Sequence, residues 1–549
     1  MPSRNKSPKR DTALHRSRIA RIEQALGRGD IAQAATIAAV ALAAGQVDPM
    51  VLNLAAWRCE EAGDYSGAHR LLQRALDLAP GDVLVLGAIG SVLRKEARFE
   101  EALAVLDRVV AAEPRHAAAW LERGFTLEAL RSERLATESY KRALTLDPNL
   151  APALGKLADG AARRGDTEEA LGFAGRAVAI DPLQPAAVFA LAAIDIEAGE
   201  GARAEARLRK LLSSSLKNED QTRTLTLLGD ALDRQDRCPE AFAAYVQAQE
   251  IFRSVYSSYL APTPESPSHR DFIEKIAAQV RDAAPATSPI ALAPVQGETK
   301  SHIFLLGYPR SGTTLVENIL ASAAEVVALE EHETLVDTEE VLVANDGTMA
   351  DLDALDPDLV AKLRASYWER VRGWAGDVTG RVFVDMNPLN GIKLPVIARL
   401  FPDARILIMR RDPRDVVLSC FRINFVPSPA AYSFSNLEET ARHYDALMRL
   451  TELCRERLPL AFHEVSYGNL ITDFETTVCE LADFVGIEWT EDFRAFGKTA
   501  RRRGVRTASA TQVRRGLYNG GGRWRRYRTE LATVLPILEP WVRRFHFEP

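Results

Sequence analysis

Cysteine is scarce in this chain of 549 residues, which contains only five. The five lie far apart, and no pair has the CxxC spacing. Disulfide frameworks and cysteine-based zinc sites depend on regular, short spacings, so we expect neither of them. A reducing compartment, the cytoplasm, is the simplest expectation.

A long apolar run is also missing. The basic N-terminus, "MPSRNKSPKRDTALHRSRIAR", is not followed by an apolar segment, and the alanine-rich stretch 31–44 is interrupted by Gln33 and Thr36. That stretch is shorter than a membrane span requires, so we expect no membrane span. The formal net charge of −6 gives no reason to expect nucleic-acid binding.

Acidic residues are absent from one segment near the C-terminus. Between Arg501 and Arg528 the sequence contains ten arginines and no aspartate or glutamate. Such a concentration of positive charge predicts a local site for an anion.

Proline and small residues recur with a fixed period in the first half. The prolines are Pro80, Pro114, Pro148 and Pro182, spaced 34 residues apart. Small residues keep the same period in two series, Ala68, Ala102, Ala136, Ala170, Ala204 and Ala56, Gly90, Gly124, Ala158, Ala192. Small side chains let paired helices approach, and proline cannot continue a helix. The pattern resembles the tetratricopeptide repeat and predicts six or seven helical hairpins stacked as a solenoid.

These features divide the chain into four segments. We expect a disordered basic tail at 1–14, a tetratricopeptide-repeat solenoid at 15–255, a linker rich in proline and alanine at 256–300, and a further domain at 301–549. The repeat array by itself is a scaffold without chemistry. Its concave face is a candidate docking surface for a peptide or protein partner.

The last segment alternates short apolar runs with helical patterns. The runs "HIFLLG", "RVFVDM", "ARILIMR" and "LAFHEVSY" predict four strands. Strands separated by helices pair in parallel, so this segment predicts an open α/β sheet. Ligands of such sheets bind outside the carboxyl ends of the strands.

The first run continues into "LLGYPRSGTTL", which has the layout of a strand, a phosphate-binding loop and a helix N-terminus. Gly307 and Gly312 permit a tight turn that directs backbone N–H groups at one anion, and Ser311 and Thr314 add hydroxyls. The spacing is that of a P-loop, but Thr313 occupies the place of the lysine in nucleotide-hydrolysing P-loops. A P-loop-like site for a different phosphate ligand is therefore expected.

A second anion-binding element is "RILIMRRDPRDVVLSCF". Arg411 stands at the predicted strand end, and Ser419 follows about two helical turns later, so both can reach one phosphate. With Arg310 in the first loop, the carboxyl edge of the sheet would carry two sets of cations and hydroxyls.

Together, the two elements resemble the sulfotransferases that use 3'-phosphoadenosine 5'-phosphosulfate (PAPS). The arginine in "YPRSGTTL" is similar to that of the tyrosylprotein sulfotransferases and of bacterial proteins that join tetratricopeptide repeats to a sulfotransferase domain. The resemblance, which extends over about 301–545, implies that the loop binds the 5'-phosphosulfate and that Arg411 and Ser419 bind the 3'-phosphate. PAPS would be the co-substrate, and no metal would be needed.

The resemblance extends to further nucleotide contacts. "EVSYGNL" places Tyr467 near the adenine, and "TASATQVRRGLYNGGGRWRRY" resembles a loop that closes over the nucleotide. The residues implied to bind it are Arg310, Ser311, Gly312, Thr313, Thr314, Arg411, Ser419, Tyr467, Gln512, Arg514, Arg515, Arg523 and Trp524.

The resemblance also implies catalytic roles. Glu331 matches the position of a glutamate in the tyrosylprotein enzymes and is the candidate general base. The alternative is that it belongs to a solvated face or a helix start. Arg310 would stabilise the leaving phosphate oxygen, with help from Ser509. One departure is Met386, which stands where the family often has a lysine. Either Arg310 suffices, or Lys393 or a C-terminal arginine replaces that lysine, or the domain is catalytically weak.

A second departure is that Ala323 and Ala324 replace the family's His-Pro, which we expect to affect the turn more than the chemistry. The leading hypothesis is transfer of a sulfuryl group from PAPS to a hydroxyl, in particular a protein or peptide tyrosine. A carbohydrate, lipid or small-molecule hydroxyl is the competing acceptor. The sequence also allows an ATP-dependent kinase, or a non-catalytic repeat scaffold that only binds a nucleotide.

Overall fold

The structure, a computed structural model, describes residues 8–283, 299–503, 517 and 520–548. It divides into two compact units. The first comprises the chain up to Ala161 and Thr167–Ala190, and the second comprises Ala162–Asp166 and the chain from Leu191 onward. The last repeat helices therefore belong to the same compact unit as the α/β domain.

Helical hairpins build the N-terminal part of the chain. The helices of the repeat array are α1 (Pro8–Gly27), α2 (Ile31–Ala43), α3 (Pro49–Glu61), α4 (Tyr65–Leu78), α5 (Val83–Lys95), α6 (Phe99–Ala112), α7 (Ala117–Ala129), α8 (Glu133–Leu146), α9 (Ala151–Arg164), α10 (Thr167–Ile180), α11 (Pro185–Glu197), α12 (Gly201–Leu212), α13 (Asn218–Arg234) and α14 (Cys238–Leu260). The predicted tetratricopeptide-repeat solenoid is confirmed.

The periodic small residues lie where the two helices of a hairpin meet. A Cβ atom added to Gly124 would lie 2.3 Å from the ring of Tyr140, which belongs to the next helix. Gly229 and Tyr245, again sixteen residues apart, have the same relationship at 2.3 Å. The period is therefore a packing requirement, because a larger side chain would separate the helices.

A five-stranded parallel sheet forms the centre of the C-terminal domain. Its strands are β1 (Ser301–Leu306), β2 (Val326–Glu330), β3 (Val382–Met386), β4 (Arg405–Arg410) and β5 (Ala461–Ser466). The order is β2-β3-β1-β4-β5, and every neighbouring pair is parallel. The predicted α/β fold with a parallel sheet is confirmed.

Strand β2 is the element that the sequence did not predict as a strand. It is short, pairs with no strand other than β3 among the described residues, and is partly exposed along its length. Its five residues run directly into an acidic segment, so the apolar pattern is too brief to stand out. This strand matters for the site because Glu331 follows it immediately.

Twelve further α-helices are described around the sheet. They are α15 (His269–Asp282), α16 (Thr313–Leu320), α17 (Val336–Leu342), α18 (Pro357–Ala375), α19 (Leu394–Leu400), α20 (Pro413–Phe421), α21 (Pro429–Phe434), α22 (Leu437–Arg457), α23 (Tyr467–Thr472), α24 (Phe474–Val485), α25 (Phe496–Arg503) and α26 (Leu535–Arg544). Short 3₁₀ helices occur at Pro388–Lys393, Glu491–Ala495 and Arg523–Tyr527. Apolar residues of β1, β3 and β4 pack against α16 and α24 in one buried core.

The terminal repeat helix α14 packs directly on the α/β domain. The side-chain amide of Gln249 donates to the carbonyl of Phe421, at 2.7 Å. The rings of Phe242 and Phe421 also approach, with centroids 5.5 Å apart. In the part of the chain that is described, no helix combines the length and apolar character needed to cross a membrane.

Candidate functional site

The direction of chain progression across the sheet reverses between β1 and β4. Strand β3 lies on one side of β1 and β4 lies on the other. The loop that follows β1 and the residues that follow β4 therefore meet at a topological switch point, where open α/β sheets bind ligands. Both predicted anion-binding elements lie at this point.

Two glycines shape the loop after β1. Gly312 has a φ of +110°, and a Cβ atom at this position would lie 2.8 Å from the ring of Tyr467. A Cβ atom on Gly307 would lie 2.6 Å from Oγ of Ser311. Gly312 is required by backbone conformation and by close approach, and Gly307 by close approach alone.

Arg310 joins the two anion-binding elements. Its Nε donates to Oγ of Ser419 at 3.1 Å, and its backbone carbonyl accepts from Nη1 of Arg411 at 2.9 Å. Its φ of +71° is a left-handed conformation that costs energy in a non-glycine residue. Burial and the charge of Arg411 lower the pKa of Arg310 to about 10, so it remains protonated at neutral pH.

Arg411 is held on three sides. Its Nη2 donates to the carbonyl of Gly520 at 2.7 Å, and its guanidinium lies 4.7 Å from the ring centroid of Tyr467. Among the described residues, its buried Nε has no hydrogen-bond partner, and the buried Oγ of Ser311 has none either. Buried polar groups are normally paired, so these two atoms are candidate contacts for a bound anion.

These residues surround a cavity of about 670 Å³, called the arginine cavity below. The predicted site residues in its lining are Arg310, Arg411, Ser419, Tyr467 and Arg523, together with the glycines 520–522. Ser311, Thr313 and Thr314 are buried, and like Gly312 they are outside this lining. Ser509, Gln512, Arg514 and Arg515 lie outside the described residues.

The terminal repeat contributes the opposite wall. Helix α13 places Thr226, Asp230 and Asp233 in the lining of the arginine cavity. The sequence did not single them out, because acids within a repeat helix usually mark a solvated face. They take part in the site only because they lie close to arginines of the α/β domain. That proximity cannot be inferred from a single sequence.

Asp233 connects helix α13 to the arginine-rich C-terminal segment. Its Oδ2 pairs with Nη2 of Arg523 at 2.6 Å, and its Oδ1 accepts from the hydroxyl of Tyr527 at 2.6 Å and pairs with Nη1 of Arg526 at 3.2 Å. Burial alone would raise the pKa of Asp233. The charges of Arg422 and Arg523, with the bond from Tyr527, keep that pKa below its ordinary value.

A second acid fixes the same segment from the other side. Asp415, on α20, accepts from the backbone N–H groups of Gly522 at 2.6 Å and Trp524 at 2.8 Å. Trp524 itself is buried, with the guanidinium of Arg414 3.8 Å from its ring centroid. The indole is thus outside the lining of the arginine cavity and helps to anchor the segment.

Glu331 begins the loop after β2. It is exposed, it has a φ of +48°, and its N–H donates to the carbonyl of Met386 at 2.7 Å. Like Arg310, Glu331 has a left-handed backbone conformation. Such a conformation at a non-glycine residue often marks a functional site. Glu331 does not line the arginine cavity. Its charge nevertheless acts on Arg310, opposing the burial that lowers the pKa of Arg310.

Lys393, one candidate substitute for the family lysine, lies away from the cavity, whereas the C-terminal arginines Arg523 and Arg526 line it. Met386 is fully buried in the core beneath the sheet edge. Lys393 is paired with Glu339 at 2.6 Å and with Glu333 at 3.4 Å, and it does not line the cavity. Arg310 is the cation that the loop after β1 contributes to the lining of the cavity. Within the described ranges, no cluster of three or more histidine, cysteine or acidic side chains could hold a metal ion.

The fold and the site define a tetratricopeptide-repeat array joined to an α/β domain with an anion-binding switch point. Residues 302–491 match the model of the sulfotransferase family, and residues 61–123 match a tetratricopeptide repeat model. Residues 302–491 are thus similar to the sulfotransferase family, as the sequence motifs predicted.

The relative described next has low sequence identity to the chain. An uncharacterized protein of Aquifex aeolicus (strain VF5) is 26% identical over 434 residues, which cover 76% of this chain and 53% of that protein. The chain thus spans about half the length of this relative.

Two solved structures resemble the repeat array. A tetratricopeptide repeat protein from Parabacteroides merdae ATCC 43184 is 18% identical, with 44% of this chain and 96% of that chain covered and a TM-score of 0.33. PilW, a type IV pilus biogenesis factor, is 20% identical. The match covers 37% of this chain and 93% of the PilW chain, with a TM-score of 0.32.

Proposed function

We propose that the protein transfers the sulfuryl group of PAPS to an acceptor hydroxyl. The observation that carries this proposal is the convergence of Arg310, Arg411 and Ser419 on one cavity at the switch point of the sheet. The sulfotransferase family match supports the same activity. The presence of Thr313 in place of the P-loop lysine argues against a nucleoside triphosphatase or a kinase.

The residues at the switch point fit a doubly phosphorylated adenosine. Nε of Arg411 and Oγ of Ser311 are buried donors without partners among the described residues, and oxygen acceptors of the nucleotide would satisfy them. Arg310 and the loop would hold the phosphosulfate, while Arg411 and Ser419 would hold the 3'-phosphate. Tyr467 would lie beside the base.

The reaction is an in-line displacement at sulfur. The acceptor oxygen forms a bond to sulfur while the bond from sulfur to the phosphate oxygen breaks. The hydroxyl proton passes to Glu331 as the proposed base, and the electron pair of the broken bond remains on the phosphate oxygen. Arg310 stabilises that developing charge, and positioning and fixed positive charge supply most of the rate enhancement. A peptide or protein tyrosine is the proposed acceptor, and Ser509 is proposed to assist.

Calorimetric titration with 3'-phosphoadenosine 5'-phosphate (PAP) tests the donor site. We expect PAP to bind without magnesium and ATP to bind at least about a hundredfold more weakly, since ATP has no 3'-phosphate for Arg411 and Ser419. Arg411→Ala is the matched variant and should abolish the preference for PAP. A preference for ATP would overturn the proposal. Radiolabelled sulfate transfer from PAPS to tyrosine peptides then separates an enzyme from a scaffold that only binds the nucleotide.

A further inference from the structure

A second cavity, of about 440 Å³, adjoins the arginine cavity. The two cavities share Thr226 of helix α13 and Ile423, which follows α20. The second cavity is formed by the helices α13 and α14 of the terminal repeat and by the segment 423–427. A molecule lying in it can therefore extend a functional group into the arginine cavity.

The lining of this second cavity, called the apolar cavity below, is mostly hydrocarbon. Leu227, Phe252, Val255, Tyr256 and Phe425 contribute apolar side chains to its walls. The rings of Phe252 and Tyr256 lie with their centroids 4.7 Å apart. Pockets of this size that are lined by aromatic and aliphatic side chains suit an apolar, ring-bearing ligand.

Polar and charged residues also line the cavity, among them Asn218, Glu219, Thr222, Arg223 and Asn424. The side-chain carbonyl oxygen of Asn424 is buried and has no hydrogen-bond partner among the described residues. A buried acceptor of this kind is rare unless something satisfies it. A ligand that presents a hydroxyl or N–H group would do so, which is a sign of binding independent of the shape of the cavity.

We propose that the apolar cavity is the acceptor site and that the acceptor hydroxyl is carried on an apolar ring, as it is in a tyrosine side chain. The ring occupies the apolar cavity, a second polar group donates to Asn424, and the hydroxyl that receives the sulfuryl group reaches Arg310 past Thr226 and Ile423. This inference rests on the proposed function, and it assigns acceptor selection to the terminal repeat.

Fluorescence titration of the PAP-loaded full chain with 2-naphthol and 2,6-dihydroxynaphthalene tests the inference. We expect 2,6-dihydroxynaphthalene to bind about tenfold more tightly, because its second hydroxyl can donate to Asn424. Asn424→Leu should remove that difference. Leu227→Trp, which fills the cavity, should raise both dissociation constants at least about tenfold.

Tyr256 and Tyr259 offer a matched pair on helix α14. Tyr256 lines the cavity, whereas the side chain of Tyr259 is 65% exposed and lies outside the lining. Tyr256→Ala should weaken 2-naphthol binding, Tyr259→Ala should not, and both variants should bind PAP as the natural chain does. The last measurement also shows that the variants are folded.

The possible failures are distinguishable. If PAP binds but 2-naphthol does not, or if Leu227→Trp leaves its affinity unchanged, the acceptor site is elsewhere and the donor proposal survives. If glucosamine is sulfated in preference to 2-naphthol, the acceptor class is wrong. If PAP itself does not bind, both the proposed function and this inference fail.

Discussion

Nε of Arg310 donates a hydrogen bond to Oγ of Ser419 at 3.1 Å, which links the loop after β1 to helix α20. A serine hydroxyl that accepts this bond retains its own proton for donation. Arg310 therefore orients the Ser419 hydroxyl so that it can donate to a phosphate oxygen. The two elements, which the sequence presents 109 residues apart, act as one site.

The first prediction concerns this hydroxyl. Ser419→Ala should raise the dissociation constant of PAP about tenfold, which corresponds to one hydrogen bond to a charged group. Calorimetry measures the change. Ser322→Ala is the control, because the Ser322 hydroxyl donates to a helix carbonyl at 2.8 Å and lies outside the cavity lining. Equal affinities for Ser419→Ala and the natural chain would contradict a role in phosphate binding.

The second prediction concerns the general base. Glu331→Gln should lower kcat for sulfate transfer about 10²- to 10⁴-fold and leave the dissociation constant of PAP unchanged. Glu333→Gln is the control, since Glu333 is an exposed acid two residues away that pairs with Lys393 at 3.4 Å. If kcat is the same for Glu331→Gln and Glu333→Gln, another group accepts the proton.

The third prediction concerns Asp233 as a positioning residue. Asp233→Asn removes a buried charge that faces Arg523 and Arg526, and we expect a loss of about 3 kcal/mol in unfolding free energy. We also expect a higher KM for PAPS with little change in kcat, because the segment that carries Arg523 is no longer held.

The control for Asp233 is Glu240→Gln. Glu240 forms an exposed pair with Arg237, and such solvent-screened pairs contribute little to stability. Asp233→Glu should recover part of the affinity for PAPS. If Asp233→Asn lowers the unfolding free energy but leaves the KM for PAPS unchanged, Asp233 has a structural role only.

The sequence predicted the elements that are governed by local rules. The period of 34 residues follows from helix contacts such as Gly124 with Tyr140, so it is visible without a structure. The switch-point loop is also recognisable, because Gly312 must adopt a positive φ. Each of these features depends on backbone sterics or on packing within one hairpin, and both leave a regular mark in the sequence.

The features that the sequence did not reveal depend on contacts between distant segments. Asp233 and Tyr527 are 294 residues apart, and nothing local distinguishes Asp233 from an exposed repeat acid. The lining of the apolar cavity likewise combines α13, α14 and the segment after α20. Met386 departs from the family pattern, but only the sheet shows that it is a core residue.

The last prediction concerns Asp385 in the middle of the sheet. Asp385 is fully buried in β3, and its Oδ2 accepts from Oγ1 of Thr334 at 2.7 Å and from the hydroxyl of Tyr367 at 2.9 Å. Its Oδ1 has no partner among the described residues. Burial raises the pKa of Asp385 to about 6, from an ordinary value of 3.8.

The raised pKa fixes the direction of the pH dependence. Between about pH 4 and pH 6 the folded chain retains a proton that the unfolded chain releases, so the contribution of Asp385 to stability is greatest at low pH. It falls as the pH rises from about 4 to about 6 and is constant at higher pH. Between pH 4.5 and 7 the loss should be about 2 kcal/mol.

Asp385→Asn should remove this part of the pH dependence. The amide oxygen can accept the two existing hydrogen bonds and the amide cannot ionise, so the variant should lose about 2 kcal/mol less than the natural chain between pH 4.5 and 7. Urea unfolding followed by tryptophan fluorescence at both pH values measures the difference. Asp403→Asn, at an exposed position, should keep the natural slope. Identical slopes for Asp385→Asn and Asp403→Asn would mean that Asp385 is ionised in the folded chain at both pH values.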